Sequence, residues 1–104
     1  MGPRVQISPQ RIRVPDLAVL QGWPQSDVIV DPPLLTIEIL SPGDTDSDTR
    51  ARVQEYLGIG TKTVWLIDPW ARTGHECDRR GWRERDRLEV DDEPIYVELE
   101  SSFE

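Results

Sequence analysis

The sequence predicts an α/β domain in which one helix packs against a mixed β-sheet. Two runs, residues 34–40 and 63–67, are continuous stretches of aliphatic, β-branched and, at Trp65, aromatic side chains, broken in the first run only by Glu38. Runs of that kind suit central strands covered on both faces. The segment between them carries apolar residues at helical spacing, and the connection from Leu40 to Val64 has the length of a right-handed βαβ crossover. A chain of 104 residues accommodates one domain. Its core is expected over residues 11–70, followed over 74–104 by a hairpin and an acidic C-terminal segment.

Taken in order, residues 11–20 read as a strand broken by Pro15, with Leu17-Ala18-Val19-Leu20 as a short apolar run behind it. Gly22, Pro24, Pro32 and Pro33 mark residues 21–33 as turns. Ser41-Pro42-Gly43 stops the strand over 34–40, and residues 44–48 are polar. A helix begins there with Ser47 or Asp48 as N-cap. Val53, Tyr56 and Leu57 form its apolar stripe, and Gly58 or Gly60 ends it. The strand over 63–67 closes at Asp68-Pro69. Residues 75–79 and 82–88 alternate weakly around Gly81, as a solvent-facing hairpin does, and 95–99 read as an edge strand or an ordered extension.

Composition narrows the function classes. No apolar run approaches the roughly 20 residues that span a bilayer, so no membrane partner is expected. No signal-peptide pattern follows Met1. Cys77 is the one cysteine, which excludes an internal disulfide framework and fits a reducing, cytoplasmic setting. His75 and Cys77 lack the second pair that a zinc site of the usual kind needs.

The net charge is −8, but residues 89–104 hold seven acidic and no basic side chains, leaving 12 basic and 13 acidic groups in the first 88 residues. The acidity is therefore local, and the C-terminal run is expected to be solvated. Two basic clusters remain available for phosphate: Arg4, Arg11 and Arg13, and a second of five arginines between Arg79 and Arg87 that three acids dilute. For the second cluster, solvated strand faces are the simpler reading. Trp65 reads as core, while Trp23, Trp70 and Trp82 lie near turns.

Glu38 is the chemical anomaly. A carboxylate inside an apolar strand costs several kcal/mol, on the order of an unpaired buried ion, unless something compensates it. Strand alternation puts Glu38 on the face shared by Thr36 and Leu40. Asp16, just after Pro15, is the nearest candidate to share a cation with it. Magnesium or manganese suits such a pair, because hard cations take carboxylate oxygens and keep several waters. Two structural alternatives stand beside this reading: an ion pair from Glu38 to Arg52 or Arg13, and an Asp16 that caps a turn.

Four motifs occur in order: Pro15-Asp16-Leu17-Ala18-Val19, Leu34-Leu35-Thr36-Ile37-Glu38-Ile39-Leu40-Ser41-Pro42, Tyr56-Leu57-Gly58-Ile59-Gly60 and Val64-Trp65-Leu66-Ile67-Asp68-Pro69. Together they resemble the Uma-two family of endonucleases, a branch of the PD-(D/E)XK restriction-endonuclease-like superfamily. The resemblance implies a restriction-endonuclease-like sheet and a Mg²⁺- or Mn²⁺-dependent site that hydrolyses DNA phosphodiester bonds. It implies Asp16 and Glu38 as metal ligands and Arg52, four residues before Tyr56, as the basic group. The sequence departs from the pattern in three places. Leu40 occupies the slot where the superfamily commonly has lysine, and Arg52 stands where this branch usually has one. The resemblance also implies a further N-terminal stretch before the Asp16 strand, so a shortened member is expected here. Those departures define a second expectation, a shortened and catalytically silent member that acts as a dimerising or partner-binding module. A homodimer fits either case. A third, weaker expectation is an acidic regulatory or inhibitory protein that mimics nucleic acid through its C-terminal run.

Overall fold

The computed structural model describes residues 2–23 and 26–99. Ten strands and one helix follow in chain order: β1 (Arg4–Ser8), β2 (Arg11–Arg13), β3 (Leu17–Val19), β4 (Val28–Ile29), β5 (Leu35–Ile39), α1 (Asp46–Ile59), β6 (Thr63–Asp68), β7 (Thr73–Asp78), β8 (Gly81–Glu84), β9 (Arg87–Glu89) and β10 (Tyr96–Glu98). The central sheet has the order β3-β5-β6-β7-β8. Within this sheet β5 and β6 are parallel, joined through α1, while its other pairs are antiparallel. The mixed sheet and its crossover helix are as the two apolar runs predict.

Alternation along the central strands sorts the side chains into two cores. On the helix side, Val64 and Leu66 of β6 and Cys77 of β7 pack with Val53, Tyr56 and Leu57 of α1 and with Val5 of β1. Burying an aliphatic side chain of this size contributes roughly 1.5–3 kcal/mol. α1 is otherwise polar; its buried residues Thr49, Val53, Tyr56 and Leu57 form one narrow stripe facing the sheet. The small sheet β2-β1-β4 adds Ile7 and Ile29 to the same core. Residues before the Asp16 strand are thus a structural layer. The core also reaches outside the expected 11–70 range, from Val5 to Leu99.

The helix starts earlier than Ser47 or Asp48. Thr45 is the N-cap, in extended conformation, with its Oγ1 accepting the Asp48 N–H at 3.1 Å. Ser47 and Asp48 lie inside the first turn. At the other end Gly60 has φ 109°, and the Gly60 and Thr61 N–H groups donate to Leu57 and Tyr56 carbonyls, the two hydrogen bonds of a Schellman motif. Gly60, rather than Gly58, therefore ends α1.

The C-terminal third differs most from expectation. β7 is no exposed hairpin arm: it pairs with β6 over five residues and buries Gly74, Glu76 and Cys77. The acidic segment is not merely solvated either. Leu88, Val90 and Leu99 are buried with Leu35 and Trp65 against the face opposite α1. β9 and β10 pair with each other, apart from the central sheet. The acids of this segment alternate with its apolar residues, so Glu89, Asp91 and Glu98 face solvent while their neighbours pack. The Trp65 indole donates to the Glu89 carbonyl at 3.2 Å. Glu76, itself buried, accepts the Glu89 N–H at 2.7 Å.

Candidate active site

Glu38 lies on the helix face of β5, as alternation predicts, and is 4% exposed. Its carboxylate looks onto two residues of α1 one turn apart. The Tyr56 hydroxyl donates to Glu38 Oε1 at 3.0 Å, and Arg52 Nη1 lies 3.5 Å from Oε2. Burial pushes the Glu38 carboxyl above its ordinary value, and the nearby Asp16 charge pushes the same way; the Tyr56 hydrogen bond and the Arg52 and Arg13 charges oppose this. Burial, with the adjacent Glu38 charge, also raises the Tyr56 phenol. Thr36, two residues back on the same face, is fully buried and its Oγ1 has no hydrogen-bond partner. The helix face of β5 is thus polar where the opposite face, Leu35 and Ile37, is apolar.

Asp16 meets this strand from the other side. β3 and β5 pair Leu17 with Ile37 and Ala18 with Thr36. Continuing that register by one residue sets Asp16 opposite Glu38. Its Oδ2 accepts the Ile39 N–H at 2.7 Å, so Asp16 is exposed but fixed against the backbone next to Glu38. Pro15, buried just before it, has no N–H to join the ladder, and β3 begins after Asp16, at Leu17.

Arg52 joins the group through a residue that the sequence did not flag. Arg52 Nη2 donates to Asp44 Oδ1 at 2.9 Å, a tighter contact than the one to Glu38. Asp44 Oδ2 in turn accepts the Ser41 N–H at 2.8 Å. That backbone hydrogen bond, with the Arg52 guanidinium beside it, holds the Asp44 carboxyl below its usual range. The acidic partners of this guanidinium are thus Glu38 and Asp44, the latter in the turn that precedes α1. Arg13, the other suggested partner of Glu38, is held instead by Glu55, at 3.0 Å from Nε, and Arg11 shares the same carboxylate at 2.7 Å. Of the two structural alternatives, the Arg52 ion pair is present. Asp16 caps no turn among the described residues.

Asp16, Glu38 and Arg52 therefore converge at one end of β5, with Tyr56 and Asp44 as supporting groups. His75 stands apart, on β7, with Glu84 3.9 Å from its Nε2. Among the described residues no group of three or more His, Cys, Asp or Glu side chains could hold a metal ion.

A family profile described as "Uma2: Putative restriction endonuclease" matches residues 2–104. The chain belongs to the Uma2 family. A solved structure described as "a putative nuclease belonging to DUF820 from Anabaena variabilis ATCC 29413" superposes with a TM-score of 0.76 at 19% identity. The superposition covers 99% of this chain and 65% of that one, so this chain spans less than two thirds of the neighbour's length. At that identity the likeness establishes the fold, which is restriction-endonuclease-like. No curated protein matches the chain.

Within this Uma2 chain two site residues escaped the sequence reading. Tyr56 was legible as a helix-stripe residue, and its place one turn after Arg52 was the signal that it also reaches Glu38. Asp44 carried no periodic signal, since it lies in the turn that stops β5. Its carboxylate reaches back three residues to the Ser41 N–H, a contact that depends on how the turn folds.

Proposed function

We propose that this chain is a metal-dependent endonuclease that hydrolyses DNA phosphodiester bonds, with Asp16 and Glu38 as ligands of Mg²⁺ or Mn²⁺. The observation that carries the reading is a buried carboxylate, Glu38, set in register opposite a backbone-anchored Asp16 with an arginine at the same point. The donor set fits such an ion. Magnesium is commonly held by one or two carboxylates while keeping several waters. Asp16 offers Oδ1 once Oδ2 is spent on the Ile39 N–H, and Glu38 is a carboxylate whose burial leaves its charge poorly compensated. When bound, the ion supplies an activated water and positive charge near the phosphate.

The chain's own residues have separate tasks. Tyr56 fixes the Glu38 rotamer through its hydroxyl. A guanidinium serves as no base; the paired N–H groups of Arg52 suit a phosphate oxygen once they leave Asp44. Arg11 and Arg13, drawn together by Glu55, add positive charge on the β2 side for the DNA backbone.

A second reading is favoured by one feature of the same site. Arg52 already links Glu38 and Asp44, so the carboxylates are partly compensated without any ion. On that reading the chain is a catalytically silent module that pairs with a second copy. The open edge of β3, with Leu17 56% and Ile39 46% exposed beside it, is the surface such a homodimer would cover.

Plasmid cleavage followed with Mg²⁺ or Mn²⁺ against EDTA separates the two. The endonuclease reading expects metal-dependent nicking that Glu38→Gln abolishes and Arg52→Ala reduces about 10²–10³-fold, the usual effect of losing one transition-state donor. Nicking that survives EDTA or Glu38→Gln rules out this site. No nicking under any condition, together with a dimer that Leu17→Lys dissociates, establishes the silent module.

A further inference from the structure

Beside the carboxylate pair lies a cleft of about 620 Å³, within the size range of small-ligand sites. It opens at the C-terminal ends of β5 and β6 against the first turn of α1, with Leu40 and Leu66 among its lining residues. Asp44 belongs to both places: it lines the cleft and accepts the Arg52 hydrogen bond at 2.9 Å. This side chain therefore links the cleft to the guanidinium that faces Glu38.

Three features of the lining point to one kind of ligand. Trp70 stands at the cleft 75% exposed. Its turn is nonetheless held, since Asp68 Oδ1 accepts the Trp70 and Ala71 N–H groups at 2.9 and 3.0 Å. An indole displayed on an anchored turn is a stacking surface, and base–aromatic stacking is tolerant of base identity. Trp82 presents a second ring, covered by the Arg50 guanidinium at 4.7 Å, which offers a further planar partner. The third feature is charge. Three carboxylates, Asp44, Asp46 and Asp68, line the cleft with Arg50 and His75, a balance that disfavours a phosphate, while Asp46 and the second oxygen of Asp68 are acceptors for the exocyclic amino groups of a base.

Resting on the endonuclease reading above, we infer that this cleft receives an unstacked nucleobase of the DNA strand whose phosphate lies at Arg52 and Glu38. The acidic lining keeps the sugar–phosphate outside, on the arginine side of Asp44, and admits the base. Substrates with a single-stranded or extruded nucleotide next to the scissile bond are accordingly favoured over continuous duplex. Bases carrying an amino group, guanine above all with its adjacent N–H donors, are favoured over thymine.

The four tryptophan indole N–H resonances of the ¹⁵N-labelled full chain provide the test, titrated with deoxyguanosine monophosphate, thymidine monophosphate and 2-deoxyribose 5-phosphate. Trp23, exposed but outside the cleft, and Trp65, buried, serve as references. The expected result is saturable shifts of Trp70 and Trp82 with the guanine nucleotide, weaker ones with thymidine monophosphate and none with the sugar phosphate. Trp70→Ala is expected to weaken that binding by about tenfold, within the range of one lost stacking contact. Trp23 moving as much as Trp70, equal shifts from the sugar phosphate, or no effect of Trp70→Ala overturns the assignment. Glu38→Gln separates the two levels: it removes cleavage but leaves the indole shifts intact. Cleavage by the wild type without any indole shift overturns the cleft alone, and shifts without cleavage overturn the endonuclease reading while the base site stands.

Discussion

Two glutamates are buried in the central sheet, one on each face, and they are used differently. Glu76 of β7 is 5% exposed on the side away from α1, where it accepts the Glu89 N–H and has Arg83 and Arg85 at 3.6 and 3.8 Å. Glu38 of β5 is buried to the same degree on the helix side. Among the described residues its partners are side chains: one hydroxyl, and one arginine that is more closely engaged elsewhere. The N–H of the next residue, Ile39, goes to Asp16. A carboxylate satisfied by the main chain is a clasp, and here it fastens the C-terminal segment over Trp65 and Leu88. A carboxylate left to side chains that can move aside is available to a ligand. An acid inside a strand therefore signals a reason for being there, but only its partners tell which reason.

The contrast is broken most severely from the clasp side. Glu76→Ala leaves the Glu89 N–H without its acceptor and removes packing beneath β9, at a cost of about 1–3 kcal/mol. Chemical denaturation is expected to show that loss, while manganese affinity of the folded protein stays as in the wild type. A loss of metal binding in Glu76→Ala would mean that the two faces are not independent.

The smaller effect has the opposite sign. Because burial raises the folded-state pKa of Glu38 above its ordinary value of 4.5, the native protein binds this proton more tightly than the unfolded chain does. The stabilisation is complete below the unfolded value and is lost as pH rises through the folded value. In EDTA, Glu38→Gln is therefore expected to melt a few degrees above the wild type at neutral pH, with the gap closing as pH falls through the folded value towards 4.5. Thermal melts across that range decide the matter; a variant less stable than the wild type at neutral pH would show that the Arg52 and Tyr56 contacts outweigh burial.

The parts of this fold that were legible in the sequence are those where one periodicity dominates. The runs that became β5 and β6, the crossover helix and the meeting of Asp16, Glu38 and Arg52 follow from apolar continuity and from a resemblance carried by consecutive motifs. What was not legible was hidden for identifiable reasons. β1 alternates as Arg4-Val5-Gln6-Ile7, but five residues with flanking charges carry little signal until Val5 is seen against α1. In the C-terminal segment, seven acids obscured the spacing of Leu88, Val90 and Leu99, each of which packs inward between charged neighbours. Glu76 gave the same sign as Glu38, an acid inside a strand, and only the sheet register shows that it faces the other core. Asp44 depended on the path of a turn, which no periodicity encodes.

The central claim is that the Asp16–Glu38 pair holds a divalent cation. Isothermal titration of Mn²⁺ into the wild type, Asp16→Asn and Glu38→Gln tests it without reference to any substrate. The account predicts a saturable site in the wild type that each substitution removes. Absence of saturable binding in the wild type, or binding unchanged in both variants, would contradict it.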